Sequence, residues 1–121
     1  MRFKIQVVIE EDDQQIAVED IVSFEKGFSH SDCIGLSLSD SKQVLKNLQR
    51  VMIQAQAQAF VNGNRQCPCC DKNRRVKGYH TIQYRTLFGI VTIDSPRYYH
   101  CPCDETSKGT FSLLTLVTRA F

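Results

Sequence analysis

CPCCDKNRRVKGYHTIQYRTLFGIVTIDSPRYYHCPC, residues 67–103, carries a cysteine pair at each end and a strand-like run between them. Cys67 and Cys70 stand three positions apart, the separation at which a tight turn lets two sulfurs and two backbone N–H groups converge on one cation. Cys101 and Cys103 supply a second pair on another turn. The thirty residues between the pairs, 71–100, begin basic at 71–77 and then read as a hairpin. One strand covers 79–86, Leu87, Phe88 and Gly89 make the turn, and 90–93 continue to His100 as the other strand. A hairpin that starts at one cysteine turn and ends at the other brings the pairs together, which is the zinc-ribbon arrangement. Four thiolates leave no open coordination position, so the role expected for the Zn²⁺ ion is structural. Metal binding worth roughly 10 kcal/mol or more would decide whether so thin a segment folds.

The competing readings of the same pairs are disulfides, iron and a redox dithiol. Six cysteines in a chain of 121 residues would suit a secreted disulfide framework, but no export signal precedes them and four fall in two tight clusters. Cys69, between two ligands, is expected to point outward and is able to exchange with Cys70. His100, beside Cys101, is the natural substitute for the fourth ligand. His80 and His30 read as surface residues, and Cys33 as a buried or loop cysteine.

N-terminal to the cysteine segment, Phe3, Ile5, Val7 and Ile9 alternate with Arg2, Lys4 and Gln6, the period of a half-buried strand. An acidic turn at 10–15 leads into a second apolar run, 16–24, that pairs back as an antiparallel hairpin. Residues 27–35 read as a loop. A helix follows from near Asp40 to Val61, with Val44, Leu45, Leu48, Val51, Met52, Ala55, Ala59 and Phe60 forming an apolar stripe at spacings of three and four. Either Ser37 with Asp40 or Asp40 with Gln43 caps its first turn. Gly63 supplies a left-handed close. The stripe packs a core or meets a partner, a second copy included, because a two-stranded sheet offers limited surface to bury it.

Charge is unevenly distributed. Residues 1–62 carry six Lys/Arg against nine Asp/Glu, whereas residues 64–103 carry seven against two. Arg65, Lys72, Arg74, Arg75, Lys77, Arg85 and Arg97 crowd the cysteine segment, interleaved with Tyr79, Tyr84, Tyr98 and Tyr99. Cations make salt-dependent phosphate contacts, and tyrosines offer stacking surface and hydroxyl donors. The basic residues together with Tyr98 are therefore the candidate nucleic-acid contacts; a solvated basic face with tyrosines packing a thin hairpin is the plainer account. No stretch approaches the roughly 18 uninterrupted apolar residues of a membrane helix, and the expected setting is cytoplasmic, at the nucleoid when DNA is bound.

GLSLSDSKQVLKNLQRVMIQAQ, then CPCC, then YRTLFGIVTIDSPRYYHCPC, then TFS resembles the N-terminal zinc-ribbon region of the ISKra-type insertion-sequence transposases. The most specific part is Thr86, Leu87, Phe88 and Gly89 followed by Ser95, Pro96, Arg97 and the second cysteine pair. Cys69 and Asp71 depart from the pattern, standing where the family usually has a polar residue and a glycine. The resemblance implies a zinc-binding part that recognises double-stranded DNA at the ends of a mobile element, followed in full-length relatives by a metal-dependent RNase H-like nuclease domain. None of that nuclease's carboxylates can be placed in this sequence. The acidic run 10–13 reads as a solvated turn, and no catalytic role is expected of this chain.

The fold expected is α+β: an N-terminal antiparallel β-hairpin and one long amphipathic helix over residues 1–63, a zinc-ribbon β-hairpin module over 64–109, and at 110–121 the start of a truncated or missing domain. A rival function is a zinc-ribbon protein-interaction module or regulator without DNA binding, which salt-insensitive binding to protein would reveal.

Overall fold

In the computed structural model the described residues are 1–31, 34–67, 69–101, 103, 110–112 and 119–120. Cys33, with the role expected of it, lies outside them. The layout is α+β, with two antiparallel hairpins and one helix between them. The chain divides into two compact units, Met1–Met52 and Ile53–Phe121, so the division falls inside the helix and not at its end near residue 63.

In the first unit, β1 (Arg2–Glu11) pairs antiparallel with β2 (Gln14–Glu25). Asp12 and Asp13 make the turn with φ of 52° and 60°. Two successive positive φ values match the twist of the flanking strands, and aspartate tolerates that conformation better than most side chains. Ile5, Val7 and Ile9 are half-buried, as their alternation demands, but Phe3 at the start of the same face is exposed, while Ile21 and Phe24 of β2 form the enclosed part of this unit.

The helix α1 spans Leu38–Gly63. Ser37 is its N-cap: the Ser37 Oγ accepts from the Asp40 N–H at 3.0 Å, and the Asp40 carboxylate accepts from the Ser37 N–H at 3.0 Å. This reciprocal pair decides between the two caps the sequence allowed. Asp40 also accepts a hydrogen bond from the Lys26 ammonium, and Asn47 Nδ2 donates to the Ile21 carbonyl at 3.0 Å. At the other end Gly63 does not take a left-handed φ, contrary to expectation. Instead Asn64 closes the helix: its N–H donates to the Val61 carbonyl at 3.2 Å and its Nδ2 to the Phe60 carbonyl at 2.8 Å. The backbone N–H and the side-chain amide of one residue satisfy these two carbonyls, so no glycine turn is needed.

The single apolar stripe expected along α1 is corrected. Val44, Leu48, Val51 and Ala55 are half-buried, but Leu45, Met52 and Phe60 are exposed, and the enclosed positions are Ile53 and Val61. Ile53, Ala57 and Val61 recur every four residues and do not belong to the first set. A helix whose two halves belong to different compact units buries a different set in each.

Lys26 and Ser37 hold the Asp40 carboxyl below the ordinary aspartate value of 3.8, the Lys26 hydrogen bond contributing most. A lowered folded-state pKa stabilises the fold above 3.8 and loses that contribution as pH falls through the lower folded value. Asp40→Asn should therefore unfold at lower urea than the wild type at pH 7, and the two midpoints should converge in acid below 3.8.

In the second unit β3 (Val76–Thr86) and β4 (Gly89–Tyr99) form the hairpin. The loop between them is Leu87 and Phe88, with Gly89 at φ 120°, a region closed to other residues. Thr86 Oγ accepts from the Phe88 N–H at 3.1 Å and donates to the Gly89 carbonyl at 2.7 Å, pinning the turn. Beyond the expected hairpin, β5 (Thr110–Ser112) adds antiparallel to β4 and β6 (Arg119–Ala120) parallel to β3. The sheet order is β5-β4-β3-β6, so these tail residues complete the ribbon's own sheet. Ser95 and Tyr98, 0% and 1% exposed, lie at its centre with Ile82 and Val91. No helix among the described residues is long and apolar enough to cross a membrane.

Candidate metal centre and basic surface

The first cysteine turn is built by backbone bonds. Gln66 and Asn73 form an antiparallel bridge, Cys67 N–H donates to the Lys72 carbonyl at 2.9 Å, and Asp71 N–H donates to the Cys67 carbonyl at 2.9 Å. Asp71 takes a φ of 59°, the conformation that makes glycine usual at this place. An aspartate adopts it at modest cost, which reconciles the departure from the ribbon pattern with a formed turn. The Tyr99 N–H donates to the Arg75 carbonyl at 2.9 Å, tying the segment after the first turn to the end of β4.

Through this register the two pairs meet. The Cys67 and Cys103 sulfurs are 3.4 Å apart, the Cys70 and Cys101 sulfurs 3.2 Å, and all four lie within 4.8 Å of one another. A tetrahedral ion with metal–sulfur bonds of about 2.3 Å sets its sulfurs roughly 3.8 Å apart, so the set fits one ion with small adjustments. Cys67 is buried and Cys103 exposed. The N–H groups of Cys69 and Cys70 lower the Cys67 thiol to about 6. Cys70 accepts the Lys72 N–H, which favours its thiolate, yet the Cys101 sulfur, burial and Cys67 leave it raised. Cys103 is pushed far up, by the Cys101 sulfur first and then Cys67. One thiolate forms readily and the next is opposed by it; only a cation lets all four ionise.

This cysteine set is the one cluster of three or more metal-ligating side chains among the described residues. Cys69 is exposed, and His100 is half-buried and not part of the set. The four residues fit a structural metal ion.

The basic residues are not all in one place. Arg65, Lys72, Arg75, Lys77 and Arg97 are exposed around the cysteine end of the module. Arg74 is half-buried, and its guanidinium donates to the Asn64 carbonyl at 3.0 Å, bracing the close of α1. The Arg75 guanidinium lies over the Tyr99 ring at 5.3 Å, held by its quadrupole. Arg85, opposite Ile90, sits seven positions along β3 from Gly78, opposite Arg97, and is therefore roughly 23 Å away at the turn end. Tyr98 is corrected as a candidate contact: at 1% exposure it belongs to the core and has no surface to offer a nucleic acid.

Comparison with protein-family models, with curated proteins and with solved structures finds no match.

Sequence reasoning missed a cleft of about 420 Å³ in this unit, lined by Gln58, Val61, Arg65, Tyr79, Asp94 and Tyr98 among others. A cleft between a helix and a hairpin leaves no local signal in a sequence.

Proposed function

We propose that this chain is a zinc-ribbon DNA-binding module, the N-terminal part of a transposase of the insertion-sequence kind. The observation that carries the reading is the convergence of four sulfurs at the foot of a hairpin, with five exposed cations, Arg65, Lys72, Arg75, Lys77 and Arg97, around that end of the module. Zn²⁺ is the ion this donor set suits best, because soft thiolates in tetrahedral array with no open position select it and confine it to a structural role. Cys67, Cys70, Cys101 and Cys103 would hold it.

Arg65, Lys72, Arg75, Lys77 and Arg97 then face duplex phosphates as a group, with Arg85 a more distant contact. Phosphate contacts supply affinity and register without sequence choice. The transposase identity rests on the sequence resemblance alone, and in this reading the chemistry of strand transfer belongs to a separate nuclease domain. Arg74 is left out of the DNA contacts because its guanidinium serves the fold.

Titration of labelled duplex DNA against salt tests the reading. Neutralising Arg75, Lys77 and Arg97 together to Gln should weaken binding about ten- to a hundredfold and flatten the plot of log affinity against log salt by roughly one unit per lost phosphate contact. Unchanged affinity and slope would remove this surface from the proposal. Binding to a protein partner that ignores salt, with none to DNA, would favour an interaction module instead.

A further inference from the structure

We infer that the free edge of β1 is a homodimerisation strand, pairing antiparallel with the β1 of a second copy about Gln6. Among the described residues the first sheet has only β1 and β2, so each strand keeps one unpaired edge. The two edges differ. The register passes from Ile5 opposite Val22 to Gln6 opposite Asp20, and from Ile9 opposite Ala17 to Glu10 opposite Gln15. Both extra residues, Ile21 and Ile16, are therefore on β2, while β1 runs its ten residues without one. Bulges bend and twist a strand out of line and are a recurrent protection of sheet edges. The β2 edge is protected in this way and the β1 edge is left regular.

The sequence of β1 suits its own reverse. Arg2 and Lys4 lie in the first half, and Glu10 and Glu11 in the second. Antiparallel pairing about Gln6 sets Arg2 beside the partner's Glu10, Phe3 beside the partner's Ile9 and Ile5 beside the partner's Val7. Residues paired in this way point to the same face, so like meets like across the apolar face and opposite charges meet at both ends. Glu25 stands opposite Arg2 within the hairpin and Asp20 lies 3.8 Å from Lys4, but Glu10 and Glu11 face only Gln15 and Gln14. Among the described residues the acidic end is the one with no opposite charge across the hairpin, and a second copy brings it.

Pairing also accounts for Phe3, 53% exposed on the face that Ile5, Val7 and Ile9 share. Beside the partner's Ile9 it extends the apolar face of a four-stranded sheet in the order β2-β1-β1-β2. The interface is isologous, so each contact occurs twice. The inference requires neither the metal nor DNA.

Sedimentation equilibrium of the full chain over a range of concentrations, with Arg2→Glu, Glu10→Arg and the double variant, tests it. Each single reversal places two like-charged pairs in the dimer and should raise its dissociation constant about tenfold, and the double reversal should bring it back to the wild-type value. Far-UV circular dichroism checks that the variants, altered at exposed positions, keep the fold. Hydrogen exchange of the wild type should show protection along β1 that grows with protein concentration. A wild type that stays monomeric, a dimer indifferent to both single reversals, or a double variant no tighter than the singles would overturn the inference.

Discussion

With Cys67 and Cys101 both changed to Ser, the chain should lose its metal and the ribbon its fixed structure. The reason is one of magnitude. A structural tetrathiolate zinc ion contributes on the order of 10 kcal/mol to folding, comparable with the whole stability of an ordinary domain. Among the described residues of the second unit outside the cysteine pairs, the enclosed apolar side chains are Ile53, Val61, Ile82, Val91, Pro96 and Tyr98, few for the length of chain they hold. Metal analysis of the purified wild type should return one tightly held zinc per chain, and cobalt in its place should show the absorption of tetrahedral thiolate ligation. Chelator should collapse the tyrosine near-ultraviolet circular dichroism of the wild type and leave that of the double variant unchanged. A wild type whose melting is indifferent to chelator would sink both the zinc and the fold role attached to it.

Tyr98→Ala should be the most damaging substitution outside the cysteines, costing about 3–5 kcal/mol in urea unfolding of the metal-loaded chain. Tyr98 lies at the join of two strand pairs, opposite Val76 in β3 and Phe111 in β5, and is 1% exposed. Truncation there opens a cavity that the register does not let the neighbours fill. Tyr98→Phe keeps the ring and should cost about 1 kcal/mol, the scale of one hydrogen bond. Its affinity for duplex DNA should equal that of the wild type, since a buried side chain makes no phosphate contact. Weakened binding by a Tyr98→Phe chain that is metal-loaded and fully folded under the binding conditions would return Tyr98 to the contact surface.

The mixture of what could and could not be read is visible in single residues. Cys67 and Cys70 announce a turn because a ligand pair at that spacing is a local property of the backbone. The hairpin at Leu87 and Phe88 follows from alternation on both sides and a glycine at 89. Ser37 and Asp40 were one of two caps the sequence allowed, and the Lys26 ammonium, fourteen positions from Asp40, stands with the pair that forms. Arg74 looked like any other cation of the basic run until the Asn64 carbonyl claimed it.

Sequence alone determined the α+β order, the two hairpins around one long helix, and the four cysteines that converge, because periodicity and ligand spacing are written in consecutive residues. The tertiary structure decided that α1 buries Ile53 and Val61, that Tyr98 is core, that β5 and β6 join the ribbon's sheet, and that the bulges fall on β2 and leave β1 regular. These are matters of which distant segment stands opposite a residue, and burial and pairing depend on that neighbour more than on the residue itself.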